Sequence, residues 1–375
     1  MKHRSGVAIA TLTMAAQAAL AFRVYRRLQR TSGPMAVIER ERFTPPGRIT
    51  IIVPALNDLR QLGPCLRGLH GQGPAVTDIL VVDRGSTDGT QDLVRAWEIR
   101  DRRIQLVSVS TLSEEAIASM PEALATGVET SPPGAGWILV VDPAMRPRTG
   151  LGRSLLGHAL NVGADLLSVS VSPPVSGALD AIIRPALAAA AEIRFGGPGV
   201  VTSDPDQVRA CPGCLLIRRN ALAEAGGFAS LPAYAGWEFE LARRIAVRGR
   251  PVACAETNDL ITADPLRTAT QIRERWANAP VLRAASGSNA GLTGLAEIAL
   301  VQAAPLPLAL LLARKNGALG ALGKINLGLL AARIAFLGAS SPETDSTDRI
   351  RWLAPLADIP VGIAVAVRSL PLNRQ

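Results

Sequence analysis

Acidic, amide and hydroxyl side chains follow two short β-branched stretches in the first quarter of the chain. The first stretch, residues 49–53, runs into a polar turn at residues 54–58, and the second, 78–82, into another at 83–90. Between them Leu59, Leu62, Leu66 and Leu69 recur at helical spacing. A strand–helix–strand unit implies a parallel sheet, and ligands of such sheets bind outside the carboxyl ends of the strands. The two turns are therefore predicted to build a ligand site.

These turns resemble two motifs of family 2 glycosyltransferases. Residues 53–58 read Val-Pro-Ala-Leu-Asn-Asp, and residues 81–90 read Val-Val-Asp-Arg-Gly-Ser-Thr-Asp-Gly-Thr. The second motif departs from the usual pattern at Arg84, where the family usually has an aspartate that contacts the nucleotide base. A Rossmann-like sheet for another ligand is the alternative, but no Gly-x-Gly-x-x-Gly follows the first strand. The resemblance implies nucleotide-sugar binding by Pro54, Ala55, Asn57, Asp58, Asp83, Gly85 and Ser86.

A third acidic position, Asp142, ends the apolar stretch 137–141 and resembles the strand that carries the family's Asp-x-Asp motif. Two carboxylates at that spacing can share Mg²⁺ or Mn²⁺ and neutralise a diphosphate. Here Ala144 replaces the second carboxylate, which puts both the metal role of Asp142 and the cation itself in question. Arg146 and Arg148 follow and would contact phosphate in place of the cation, or else lie in a solvated loop.

The candidate general base is Glu238. Residues 213–228 and 236–249 resemble segments of family 2 members that use membrane acceptors, and Glu238 stands where those enzymes have a catalytic aspartate. Trp237 departs from the family's preceding acid. A base must come within about 3 Å of the acceptor hydroxyl. The alternative role for Glu238 is a favourable interaction with the helix dipole.

Residues 273–276, Arg-Glu-Arg-Trp, resemble a family motif that contacts donor phosphate and acceptor, so Arg275 and Trp276 join the predicted nucleotide-sugar site. The alternative is an interfacial amphipathic helix over 268–282, with its Arg and Trp side chains at head-group level.

Composition limits the class of protein. The 375 residues are 48% hydrophobic, enough for one catalytic domain plus membrane segments. The net charge of +9 comes almost entirely from arginine and favours phosphate or acidic lipid as partners. No nucleic-acid-binding motif occurs, so no nucleic acid is expected as a partner. Cys211 and Cys214 have zinc or redox spacing, but without a second pair or a His cluster we interpret them as small residues at a strand start.

Apolar segments near both ends predict membrane association. Residues 6–22 are apolar and precede four arginines at 23–30, which favours an anchor with the following domain in the cytoplasm. A surface-lying basic helix is the alternative. Residues 292–313, 317–339 and 352–370 are weaker candidate spans, because each contains charged residues or prolines.

The predicted fold class is α/β: a GT-A Rossmann-like mixed sheet flanked by helices, with an N-terminal membrane anchor and C-terminal membrane helices. The predicted parts are an anchor (1–30), a linker (31–47), a GT-A glycosyltransferase domain (48–260), an interfacial helix (261–285) and membrane-associated helices (290–372).

This plan most resembles hopene-associated and carotenoid-type membrane glycosyltransferases. The implied function is inverting transfer of a sugar from a nucleotide sugar to an isoprenoid- or hopanoid-type lipid by a multi-pass protein of the cell inner membrane. The departures at Arg84, Ala144 and Trp237 support the alternative of a catalytically degenerate relative that serves as a scaffold in a membrane lipid-modifying complex.

Overall fold

The computed structural model describes residues 2–30, 35–109, 119–171, 174–197, 201–233, 236–257, 259–264, 268–277, 279, 281–282, 292–312, 314–339 and 346–368. The chain divides into two compact units. The sheet unit comprises Gly33–Pro173 and Pro198–Asp264, and the helical unit comprises Met1–Ser32, Pro174–Gly197 and Pro265–Gln375.

The sheet unit is built on one large mixed sheet. Its strands are β1 (Ala36–Ile38), β2 (Ile49–Ala55), β3 (Val76–Asp83), β4 (Ile104–Ser108), β5 (Trp137–Val141), β6 (Met145–Pro147), β7 (Leu166–Ser170), β8 (Cys214–Arg218), β9 (Val252–Thr257) and β10 (Ile261–Ala263). The large sheet has the order β1-β9-β7-β8-β5-β2-β3-β4, in which β8 runs antiparallel to both neighbours and the other pairs are parallel. Strands β6 and β10 form a separate antiparallel pair.

Both faces of the large sheet are covered, which explains why its strands read as continuous apolar stretches. Along β2, Ile51 and Val53 belong to one buried cluster, while Ile52 belongs to the other. The helices of this unit are α2 (Leu59–His70), α3 (Thr90–Arg100), α4 (Met120–Thr130), α5 (Leu151–Val162), α7 (Arg219–Glu224) and α8 (Trp237–Val247). The predicted strand–helix–strand unit is confirmed, because β2 and β3 pair in parallel on either side of α2.

Among the described residues of the helical unit, three helices are long and apolar enough to cross a membrane: Val7–Arg30, Gly317–Ala335 and Ile350–Arg368. A fourth crossing would need the pair Thr293–Ala303 and Pro305–Leu312, which is bent by 46°. The described helical elements are α1 (Lys2–Arg30), α6 (Ala178–Phe195), α9 (Ala269–Ala277), α10 (Leu292–Glu297), a π-helix (Ile298–Ala303), α11 (Pro305–Leu312), α12 (Gly317–Ala339), a 3₁₀-helix (Ser346–Leu353) and α13 (Ala354–Arg368).

Polar side chains among these apolar helices have partners, as buried polar groups require. The amides of Gln17 on α1 and Asn326 on α12 exchange two hydrogen bonds, of 2.8 and 3.0 Å. Glu297 is 1% exposed and pairs with Arg27 at 2.8 Å. Of the charges that weakened the predicted spans, Glu297 is therefore paired, and Arg333 and Asp358 pair with each other at 3.4 Å, whereas Lys324 is exposed.

Two predicted boundaries differ from the structure. Residues 36–38, expected within a linker, form β1 and pair with β9 in register Ala36↔Ala255. The predicted 48–260 domain is interrupted, because α6 belongs to the helical unit, where it packs against α13. Its alanine- and isoleucine-rich sequence explains this, since an apolar helix is stabilised by apolar neighbours.

Candidate functional site

The turns after β2 and β3 are interlocked by hydrogen bonds. The backbone N–H of Asn57 donates to Ser86 Oγ (2.9 Å), and the N–H of Thr87 donates to Asn57 Oδ1 (2.9 Å). The N–H of Arg84 donates to the carbonyl of Ala55 (3.0 Å). Asn57 has a φ of 54°, a left-handed conformation that asparagine tolerates better than most residues. The structure thus brings the two predicted turns together as one rigid surface.

Asp83 shapes the second turn from inside. Its carboxylate is buried and accepts from the N–H groups of Gly85 (3.2 Å) and Ser86 (3.1 Å) and from Gln91 Nε2 (2.8 Å). Gly85 has a φ of 101°, which requires glycine. Gln91 was missed by sequence reasoning, because nothing in its sequence position indicates the contact. Pro54 and Ala55 are also buried, so they would meet a ligand chiefly through backbone.

Asp142 directly follows β5, the strand beside β2. Its Oδ1 accepts from the N–H of Ala144 (2.8 Å), and its own N–H donates to the carbonyl of Gly213 (2.8 Å). Across from it, burial raises the pKa of Asp58, and the nearby charges of Asp142 and Asp88 raise it further, although an N–H donor from Leu56 opposes them. Asp58 and Asp142 are therefore neighbouring carboxylates at the ends of adjacent strands.

This pair bears on whether a divalent cation fits. Mg²⁺ and Mn²⁺ sites often use one or two carboxylates, with water and substrate phosphates completing the shell. Asp58 and Asp142 are two carboxylates of this kind without an acid at position 144, so the chemistry of the residues present is compatible with such an ion. Among the described residues, no group of three or more His, Cys, Asp or Glu side chains is placed to hold a metal by itself.

Arg84 is half-buried between acidic groups. Burial lowers the pKa of its guanidinium, and the negative charges of Asp58 and Glu122 oppose this change. Glu122 belongs to a capping box at the start of α4, where its carboxylate accepts from the N–H of Ser119 (2.7 Å). Arg84, a departure from the family pattern, thus interacts with a carboxylate of opposite charge on α4.

Glu238 lies in the first turn of α8 and is 5% exposed. The helix starts after Gly236, whose φ is 103°. The adjacent Trp237 is buried and packs edge-on against Phe228, with ring centroids 5.8 Å apart. Trp237 is therefore a core residue in place of an acid.

Glu240, by contrast, is held by its own helix. It accepts hydrogen bonds from Arg243 Nε (3.1 Å) and Arg244 Nε (2.8 Å). Partial burial raises its pKa, but these bonds outweigh burial and leave the pKa below its ordinary value.

The arginines expected at phosphate differ in their surroundings. Arg146 pairs with Asp264 and donates to the carbonyls of Gln61, Pro143 and Met145, which ties β6 to β10 rather than leaving the guanidinium for phosphate. Arg148 is exposed. Arg275 and Trp276 lie on α9 of the helical unit, where Trp276 Nε1 donates to Asp180 Oδ1 (2.9 Å). Their predicted role at the donor stays a prediction.

Comparison with known proteins bears on this arrangement. Residues 50–114, which contain β2, α2, β3 and the two interlocked turns, match the family model "Glycosyl transferase family 2". The match covers this segment only, which is similar to part of a family 2 glycosyltransferase domain. Together with the fold, it supports a glycosyltransferase of the GT-A type. No curated protein matches the chain.

Solved structures share the fold. A mannosyltransferase from Pyrobaculum calidifontis, in complex with GDP-Man and Mn²⁺, is 19% identical, with 97% of this chain and 99% of that chain covered and a TM-score of 0.54. At this identity the likeness shows the GT-A fold alone. Glucosyl-3-phosphoglycerate synthase from Mycobacterium tuberculosis is 18% identical over 71% of this chain and 88% of that chain, with a TM-score of 0.45.

Proposed function

We propose that the protein is a membrane-bound glycosyltransferase that moves a sugar from a nucleotide sugar to a lipid acceptor of isoprenoid or hopanoid type. The observation that carries the proposal is the pair of interlocked turns after β2 and β3, adjoining the carboxylates Asp58 and Asp142. A rigid polar surface at the carboxyl ends of parallel strands suits a nucleotide. The test is transfer from labelled nucleotide sugars to extracted membrane lipids.

The reaction would be an inverting displacement. The acceptor hydroxyl oxygen bonds to the anomeric carbon as the bond to the departing nucleoside diphosphate breaks. Glu238 takes the hydroxyl proton in this proposal, since it occupies the base position of the family at the start of α8. The buried position of Glu238 limits competition from water.

Asp58 and Asp142 would hold a divalent cation in the working enzyme. When bound, such an ion neutralises charge that develops on the leaving diphosphate. The carboxylates themselves orient the donor end of the site, because the N–H of Ala144 fixes Asp142 and that of Leu56 fixes Asp58. The bound Mn²⁺ of the similar mannosyltransferase complex supports the use of a divalent cation, but not the residues that hold it.

Removing the carboxylate of Asp83 is expected to weaken nucleotide binding at least about tenfold. Asp83→Ala would leave two N–H groups and Gln91 Nε2 without their acceptor, which would loosen the turn that faces the nucleotide. A lost bond to a charged group is worth roughly 1.5–3 kcal/mol, and about 1.4 kcal/mol is tenfold in affinity. Calorimetric titration with a panel of nucleotide sugars measures the change.

The matched control is Asp92→Ala. Asp92 lies on α3 near the same turn, but its side chain is 81% exposed and its partner Arg95 is also exposed. Surface pairs of this kind contribute little, so nucleotide affinity should stay at the parental value. An Asp83→Ala protein that folds and binds as tightly as the parent would contradict the assignment of this turn.

The lipid acceptor and the inner-membrane location rest on the apolar helices. Helix α1 carries Arg23, Arg26, Arg27 and Arg30 at its C-terminal end, and we propose that this end faces the cytoplasm together with the sheet unit. Protease added to inverted vesicles is expected to cleave residues 33–264, while right-side-out vesicles protect them. Cleavage only from the periplasmic side would reverse the proposed orientation.

A second candidate function is a catalytically degenerate scaffold in a membrane lipid-modifying complex. It is favoured by the structural use of two departures: Arg84 interacts with Asp58 and Glu122, and Trp237 packs in the core. A folded protein that neither binds any nucleotide in thermal-shift titration nor transfers any sugar would support the scaffold.

A further inference from the structure

Two cysteines of the sheet unit are in contact, one in a loop and the other in a strand. Cys211 lies in the loop that precedes β8, and Cys254 lies within β9. Their Sγ atoms are 3.5 Å apart, within hydrogen-bonding distance for thiols. Cys254 is 5% exposed, whereas Cys211 is partly exposed. The partner of Cys211 is thus 43 residues away rather than at Cys214, which its spacing suggested.

The pKa values of the two thiols are shifted in opposite directions. The hydrogen bond between the two thiols lowers the pKa of Cys254 despite its burial, and the positive charge of Arg209 lowers it further. The same bond raises the pKa of Cys211 well above the ordinary value. The other two thiols differ: burial raises the pKa of Cys214 to about 12 and also raises that of Cys65. A thiolate is the reactive form, so Cys254 is set apart from the other buried cysteines.

The loop that carries Cys211 is also joined to the candidate site. Two residues beyond Cys211, the carbonyl of Gly213 accepts the N–H of Asp142 (2.8 Å). Gly213 has a φ of 102°, and a Cβ at this position would lie 2.8 Å from Met145 Cε. The other end of the loop is fixed to β9 by two backbone bonds between Thr202 and Val252 (2.8 and 2.9 Å). A shift of Cys211 therefore has a short path to Asp142.

We propose that Cys211 and Cys254 form a reversible disulfide upon oxidation by a hydroperoxide, which crosslinks the 201–213 loop to β9 and displaces Asp142. The Cys254 thiolate attacks one peroxide oxygen, the O–O bond breaks, and hydroxide or alkoxide leaves, giving a sulfenic acid. The Cys211 sulfur then attacks the Cys254 sulfur, and its proton leaves with the hydroxyl as water. The peroxide receives both electrons.

The crosslink requires a real movement. A disulfide has an S–S length of about 2.05 Å, so the two sulfurs must approach from 3.5 Å. Because β9 is hydrogen-bonded on both sides, by β7 and β1, the loop is the part expected to move. Movement of Cys211 would shift Gly213 and, through the Gly213 carbonyl, the backbone N–H of Asp142. The effect on nucleotide affinity rests on the proposed function, but formation of the disulfide does not.

The test treats the purified full-length protein, in detergent, with hydrogen peroxide, then alkylates the remaining thiols and maps peptides by mass spectrometry. We expect two of the four cysteines to escape alkylation, one peptide joining 211 to 254, and complete reversal by dithiothreitol. Cys254→Ser should leave Cys211 alkylatable. Cys214→Ser is the matched control and should still form the crosslink, because Cys214 is outside the pair.

Nucleotide titration of the reduced and oxidised protein then measures the link to Asp142. We expect oxidation to weaken nucleotide binding several-fold in the parent and in Cys214→Ser, but not in Cys254→Ser. Four alkylatable thiols after peroxide, or a crosslink that uses Cys214 or Cys65, would overturn the proposed pair. Unchanged affinity in a fully crosslinked protein would overturn the coupling. An absence of nucleotide binding in both redox states would refute the proposed function while the peptide map still decides the disulfide.

Discussion

Glu238→Gln is expected to lower sugar transfer about 10²–10⁴-fold, the usual effect of losing a positioned general base. Glutamine has nearly the same shape and cannot accept the acceptor's proton at neutral pH. Because Glu238 lies in the first turn of α8, away from the interlocked turns in sequence, nucleotide affinity should change little. Transfer from labelled donors to extracted lipid, measured alongside nucleotide titration, separates the two effects.

Glu240→Gln is the matched control. Glu240 occupies the same helix but is committed to Arg243 and Arg244, and partly exposed pairs of this kind contribute about 1 kcal/mol or less. Transfer by this variant should stay near the parental rate. Equal activity in Glu238→Gln and the parent would eliminate Glu238 as the base.

Asp58→Asn and Asp142→Asn are each expected to lower transfer by about 10²–10³-fold, comparable to the loss of other charge-stabilising groups in active sites. Each variant removes one charge of the neighbouring pair. A chelator should inhibit the parent strongly. Replacement of the cation by Arg146, one alternative that the sequence offers, is disfavoured because the Arg146 guanidinium already contacts Asp264 and three backbone carbonyls.

Asp264→Asn tests whether any charge change near this turn has the same effect. Asp264 pairs with Arg146, which lies four residues after Asp142 in the chain. The Asp264 side chain is 62% exposed. Its transfer rate should stay within a few-fold of the parent and remain chelator-sensitive. Full activity of Asp142→Asn in the presence of chelator would refute the carboxylate pair.

The sequence predicted those features that are encoded locally. The apolar segment 317–339 forms α12 with the same ends, and the apolar stretch at 137–141 forms β5. The interlocked turns were also predictable, because parallel strands place their carboxyl ends at one edge. These features depend on periodicity and turn chemistry, which neighbouring residues determine.

Features that depend on distant pairing could not be predicted. Asp58 and Asp142 approach because β2 and β5 are neighbours in the sheet, although α2, β3, α3, β4 and α4 separate them in the chain. Cys211 meets Cys254 because the loop before β8 lies beside β9. The assignment of α6 to the helical unit also depends on helices that occur much later in the sequence.

The amide pair between Gln17 and Asn326 has a consequence for how the chain is made. The two residues are 309 positions apart, so at about 5–20 residues per second Asn326 is synthesised roughly 15–60 s after Gln17. Throughout that interval the first apolar helix carries an amide whose partner on α12 has not yet been synthesised. Arg27 is likewise synthesised 270 residues before its partner Glu297. Completion of the helical unit is therefore a late event in translation, whereas the turns after β2 and β3 can close within seconds of each other.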